Sequence, residues 1–118
     1  MSDRILSSNE ELGFRVVSVG GEVDLSWSPQ LRKAILDALA TKKPVAVNLS
    51  QVSYIDSSGI AALVEGFQQA RGKNQRFALI AISSAVRAVL ELARLDRVFP
   101  IFPTLADGVA GVAFVDAC

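Results

Sequence analysis

The order of apolar runs along the chain predicts an α/β fold: a mixed central β-sheet of about four to five strands packed with about four helices. Three observations carry this. Short β-branched or continuously apolar runs fall at residues 14–19, 45–49 and 77–82. Between them lie longer segments whose apolar residues recur at i, i+3 and i+4, the spacing of one helix face. Strands that alternate with helices in this way favour parallel neighbours joined by crossovers.

Taken in order, residues 1–12 are polar and mixed, with residues 7–11 reading as an early turn and residues 1–6 as a short edge strand at most. Phe14, Val16, Val17 and Val19 mark a half-buried strand. Gly20-Gly21 is expected to break it, and residues 22–25 to resume as an extended piece. Ser28-Pro29 reads as a helix entry, with Ser28 as N-cap and Pro29 at the first helical position, where a missing N–H costs nothing. Trp27, just before it, reads as a staple onto that helix or as an exposed contact, the former preferred. Leu31, Ala34, Ile35, Ala38 and Leu39 then share one helix face. Residues 45–49 form a strand covered on both faces, and residues 51–55 link it to the next helix. That helix runs over residues 60–71 through Ile60, Leu63, Val64, Phe67 and Ala70, and stops at Arg71-Gly72. A strand at 77–82 follows. Ser83-Ser84 then caps a helix that buries Val86, Val89, Leu90 and Ala93. Residues 98–102 form an edge strand because of Pro100. Thr104 caps a last helix over residues 105–115, which Gly108 and Gly111 weaken by about 1 kcal/mol each relative to Ala.

Composition narrows the function. The chain has 118 residues, 51% of them hydrophobic, enough for the core of one domain, taken as 1–118. Twelve basic residues balance twelve acidic ones, which argues against direct nucleic-acid binding, where a basic excess is the rule. Histidine is absent, and with it the commonest general base and metal ligand. The single cysteine is Cys118, so neither a disulfide framework nor a cysteine metal site is expected. There is no apolar run of the ~20 residues that span a bilayer and no signal peptide, so a soluble cytoplasmic protein without membrane insertion is expected. Gly-x-Ser-x-Gly, Walker A and Gly-x-Gly-x-x-Gly patterns are missing. The expectation is a non-enzymatic protein with no metal and no cofactor.

One stretch stands out, Tyr54-Ile55-Asp56-Ser57-Ser58-Gly59-Ile60. It places an acid, two hydroxyls and a glycine between an apolar run and an amphipathic segment. Two readings are open on local chemistry. Asp and Ser are preferred helix caps, because their side-chain oxygens accept the unpaired N–H groups of a first turn. A hydroxyl at a helix N-terminus is also a place where a phosphate is welcome, although local chemistry alone favours the plain cap.

The spacing of Gly21-Glu22-Val23-Asp24, a helix, Val45-Ala46-Val47-Asn48-Leu49-Ser50 and then Asp56-Ser57-Ser58-Gly59 resembles the STAS domain family, most closely the bacterial anti-sigma factor antagonists. Ser83 to Leu92 followed by Leu95-Asp96-Arg97-Val98-Phe99 fits the family's last strand-helix-strand turn, so the likeness covers about 100 residues. The resemblance implies a phosphorylation-switched binding module. Unmodified, it sequesters a partner that is both anti-sigma factor and serine protein kinase; phosphorylated on the first serine after the aspartate, Ser57, it lets that partner go, and a serine phosphatase resets it. Transcription is thereby regulated indirectly. Ser58 is the less favoured acceptor and the expected helix cap, and Asp24, Asp56, Ser58 and Gly59 shape the phosphosite and the partner-binding surface. The same family includes accessory subunits of lipid-transporting ABC systems, which need no phospho-switch, and this is the alternative function.

Overall fold

The computed structural model describes residues 4–116, with side chains through residue 111. Its first element corrects the expected early turn. Strand β1 (Ile5–Glu11) pairs antiparallel with β2 (Phe14–Val23). The two-residue turn is Leu12-Gly13, both at positive φ (53° and 83°), a backbone whose twist suits a tight hairpin. All seven β1 residues are exposed. An edge strand held by backbone bonds has no need of alternating hydrophobicity, so it carries none of the usual signal.

Strand β2 does not break at Gly20-Gly21. It continues to Val23, parallel to β3 (Val45–Ile55), with irregular register between Ser18 and Gly20 and between Gly21 and Glu22. A Cβ on Gly20 would sit 2.8 Å from Gln51 Cβ, so this glycine permits close approach to β3. Residues 51–55, expected as a link, belong to β3: Gln51, Val52, Tyr54 and Ile55 partner Gly20, Gly21, Glu22 and Val23.

Between β2 and β3, helix α1 (Ser28–Ala40) begins without a side-chain cap. The expected Ser28 cap is therefore corrected: Ser28 lies inside the first turn and is buried. The backbone N–H groups of Trp27 and Ser28 both donate to the carbonyl of Asp24, which satisfies the helix entry from the chain itself. Trp27 is 9% exposed and part of the core, as the staple reading expects. Helix α2 (Ser57–Gly72) starts three residues earlier than expected and ends at Gly72 as expected, with the left-handed conformation that follows it taken by Asn74 at φ 53°.

Strand β4 (Phe77–Ile80) stops before Ala81, at φ 52°. Ser83 caps α3 (Ser84–Leu92) as expected, accepting from the Val86 N–H at 3.3 Å. Val86 and Leu90 face the core, Val89 packs against it, and Ala93 is an exposed C-cap rather than a buried residue. Edge strand β5 is only Ile101–Phe102. Thr104 caps α4 (Leu105–Asp116), its hydroxyl accepting from the Asp107 N–H at 3.1 Å. Gly111 has a use the propensity argument overlooks: a Cβ there would lie 2.3 Å from the Phe102 ring, so its absence lets α4 sit on β5.

The five strands lie in the order β1-β2-β3-β4-β5, with β1 antiparallel and the rest parallel, which matches the mixed sheet expected. Leu31, Ile35 and Leu39 of α1 and Leu63 of α2 are wholly or almost wholly buried in the main cluster, with Val17, Val47 and Leu79 of the sheet. Such side chains stabilise by about 1.5–3 kcal/mol each. The other cluster joins Phe14, Val16, Ala46 and Ile80 to Leu105 at the start of α4. The sheet places the C-terminal ends of β2 and β3 side by side, with Val23 opposite Ile55. Because β1 runs the other way, its N-terminal end comes to the same end of the sheet.

Candidate functional site

Two aspartates leave the sheet together. Asp24 follows Val23 and Asp56 follows Ile55, and the Asp56 N–H donates to the Val23 carbonyl at 3.2 Å. Each then binds the serine two residues on. Asp56 Oδ1 accepts from the Ser58 N–H at 2.9 Å and the Ser58 hydroxyl at 2.6 Å. Asp24 Oδ1 accepts from the Ser26 N–H at 3.0 Å and the Ser26 hydroxyl at 2.6 Å.

At Asp56 this arrangement caps a helix. The same carboxylate also accepts from the Gly59 N–H at 3.4 Å, so it satisfies two of the unpaired donors of α2. The cap is thus Asp56, and the expected assignment of that role to Ser58 is corrected: the Ser58 hydroxyl is a donor to Asp56 and takes none of the helix N–H groups. The Ser58 hydroxyl is the largest influence that holds the Asp56 carboxyl below its ordinary range, helped by the two backbone N–H groups and opposed by desolvation and by the charge of Asp24. Asp24 is likewise held low, first by the Ser26 hydroxyl and then by Arg4.

Ser57 is the first residue of α2 and is exposed. Its hydroxyl takes no part in the capping bonds, which leaves a primary alcohol facing solvent at a helix N-terminus. Gly59 is buried beneath it, and a Cβ there would lie 2.7 Å from Ile55 Cγ1 and 2.8 Å from Val23 Cγ1. Only a glycine lets the helix start sit directly on the ends of both strands. The structure therefore brings together Asp24, Asp56, Ser57, Ser58 and Gly59, all of the expected site residues.

Three further residues, none given a site role from the sequence, lie at the same end of the sheet. Leu25 is 73% exposed and Tyr54 48% exposed, one beside each aspartate. A lone leucine between an acid and serines was a usable signal for the first; Tyr54 opens the stretch singled out above, but no role was expected for it. The third is Arg4, whose Nη2 lies 3.2 Å from both Asp24 oxygens and 3.3 Å from Ser26 Oγ. Its guanidinium also lies 5.4 Å from the centre of the Trp27 ring, a cation–π contact. Nothing local in the sequence marks a partner 20 residues away.

This fold is matched among known proteins. The model of the STAS domain fits residues 6–108. The anti-sigma-F factor antagonist RsfB of Mycobacterium tuberculosis is 33% identical over 101 residues, 85% of this chain and 82% of that protein. The crystal structure of an anti-sigma factor antagonist from Mycobacterium paratuberculosis superposes with a TM-score of 0.84 at 32% identity, covering 94% of this chain and 95% of that one. The unphosphorylated form of the anti-sigma factor antagonist SpoIIAA shares the fold, with a TM-score of 0.75 at 20% identity over 92% of this chain and 96% of that one. The chain belongs to the STAS domain family.

Proposed function

We propose that this protein is an anti-sigma factor antagonist, a binding module rather than an enzyme, whose hold on its partner is switched by phosphorylation of Ser57. The observation that carries the reading is the Ser57 hydroxyl: exposed, unused by the cap, and held at the first position of α2 between two side chains fixed to each other. The similarity to RsfB over 85% of the chain supports the partner class; the accessory transporter-subunit alternative has no such support. Among the described residues no helix is long and apolar enough to cross a membrane, in keeping with a cytoplasmic site of action.

The partner is an anti-sigma factor that is also a serine protein kinase. In the unmodified protein, exposed Leu25 and Tyr54 flank the aspartates and offer apolar area for docking. The kinase then transfers the γ-phosphoryl group of ATP. Ser57 Oγ forms the new bond to phosphorus, the bond to the bridging oxygen of ADP breaks, and the hydroxyl proton passes to a base of the kinase. The product adds about −1.5 to −2 charges. The N-terminus of α2 tolerates that charge, whereas the partner must now desolvate a phosphate beside Asp56 and Asp24. Binding weakens without any refolding of the domain, and a serine phosphatase hydrolyses the ester to restore Ser57. The test is incubation with ATP and each candidate kinase, followed by mass spectrometry of the peptide that holds Ser57. Phosphate on Ser57 is the expected result, and its absence with every candidate overturns the proposal.

A further inference from the structure

Resting on that reading of Ser57, we propose that Arg4 is the built-in counter-ion of the switch: its guanidinium holds Asp24 in the unmodified protein and is drawn toward the phosphate when Ser57 carries one. Strand order puts β2 between β1 and β3, and β1 is antiparallel, so Arg4, Asp24 and Asp56 form a row across one end of the sheet. Adjacent strands are about 4.8 Å apart, which places a phosphate on Ser57 within roughly one Debye length (~8–10 Å) of the guanidinium. The row is not symmetric. Both aspartates accept from the serine two residues on, but Asp56 also accepts from the Gly59 N–H of α2, whereas Asp24 also accepts from Arg4.

Addition of a phosphate makes three anionic groups in succession, and Arg4 is the cation already bonded to one of them. Its hold on Asp24 is adaptable. One nitrogen, Nη2, serves both carboxylate oxygens and Ser26 Oγ at 3.2–3.3 Å, and the paired side chains are 30% and 39% exposed. Exposed pairs of this kind are weak, while guanidinium–phosphate bonds are charge-assisted and bidentate. As Arg4 turns, it leaves the Trp27 ring and the loop that carries Leu25. A charge on α2 is thereby read at the β2–α1 loop, where Leu25 docks the partner.

The test uses full-length protein with phosphoserine installed at position 57 during synthesis, so that no kinase is needed. The phosphate is titrated by phosphorus NMR, and the Trp27 indole signal is followed with and without the phosphate. In wild type the indole signal moves on phosphorylation. In Arg4→Gln that movement is lost and the phosphate midpoint rises by about 0.8 pH unit, the Coulomb effect of one positive charge in contact at ~4 Å in water. Arg4→Lys keeps the charge and returns the midpoint to the wild-type value, a rescue that loss of β1 packing would not give. Equal midpoints in all three proteins, or an indole signal indifferent to the phosphate, overturn the proposal. A kinase that never modifies Ser57 overturns the function proposed above, and these titrations separate the two failures.

Discussion

The ends of β2 and β3 carry the same local device and put it to different uses. Asp24-Leu25-Ser26 and Asp56-Ser57-Ser58 each turn an aspartate onto the serine two residues later, with hydroxyl bonds of 2.6 Å in both. The difference lies in the middle residue and in what neutralises the acid. At β3 the middle residue is Ser57 and the acid caps α2. At β2 the middle residue is Leu25, the acid pairs with Arg4, and α1 starts four residues later with no side-chain cap. The aspartate and second serine are therefore scaffolding in both places. What distinguishes the proposed phosphosite is an exposed hydroxyl at the first position of a capped helix.

The largest expected effect comes from lifting α2 off the strand ends. Gly59→Val should destabilise the fold by about 1–3 kcal/mol through overpacking, since even a Cβ meets Ile55 and Val23 below 3.0 Å. Denaturant unfolding checks it, and Gly66→Val, where a Cβ would lie 2.5 Å from Ile35, should behave alike. Next in size is the exchange of the two acids. Asp56→Ala should lower the melting temperature more than Asp24→Ala, because only Asp56 caps a helix; thermal melts of the two variants decide this.

The acids should also titrate as the hydrogen bonds dictate. Both are held below the ordinary carboxylate range in the folded protein, so their stabilising effect is present above the unfolded value of about 3.9 and is lost as pH falls through the lower folded value. Ser58→Ala should raise the Asp56 midpoint and Ser26→Ala the Asp24 midpoint, each leaving the other acid largely in place, as carboxyl carbon NMR would record. The smallest effect on stability belongs to Ser57→Ala. It should change unfolding free energy by no more than about 0.5 kcal/mol, since the cap does not use that hydroxyl, while it abolishes the modification.

The alternation of strands and helices was legible because buried segments must repeat their apolar residues at the period of their backbone. Strand β1 was not, because all its side chains are exposed, and the second half of β3 was not, because Gln51, Ser53 and Tyr54 are exposed. At the site, the residue types that gather around Ser57 were legible, but their division of labour was not. Asp56, Ser57 and Ser58 are all good caps by type, and only geometry shows that Asp56 takes the N–H groups while Ser58 steadies Asp56. Arg4 was invisible because its role comes from the reversal of β1, which no short window of sequence contains.

The most direct measurement is affinity for the anti-sigma partner of wild type, Ser57→Ala and Ser57→Asp, each before and after incubation with ATP. A phospho-switch at Ser57 predicts that wild type binds and then lets go as phosphate appears on Ser57, that Ser57→Ala binds in both conditions, and that Ser57→Asp binds weakly throughout. Equal affinities for all three proteins, unchanged by ATP, would contradict it.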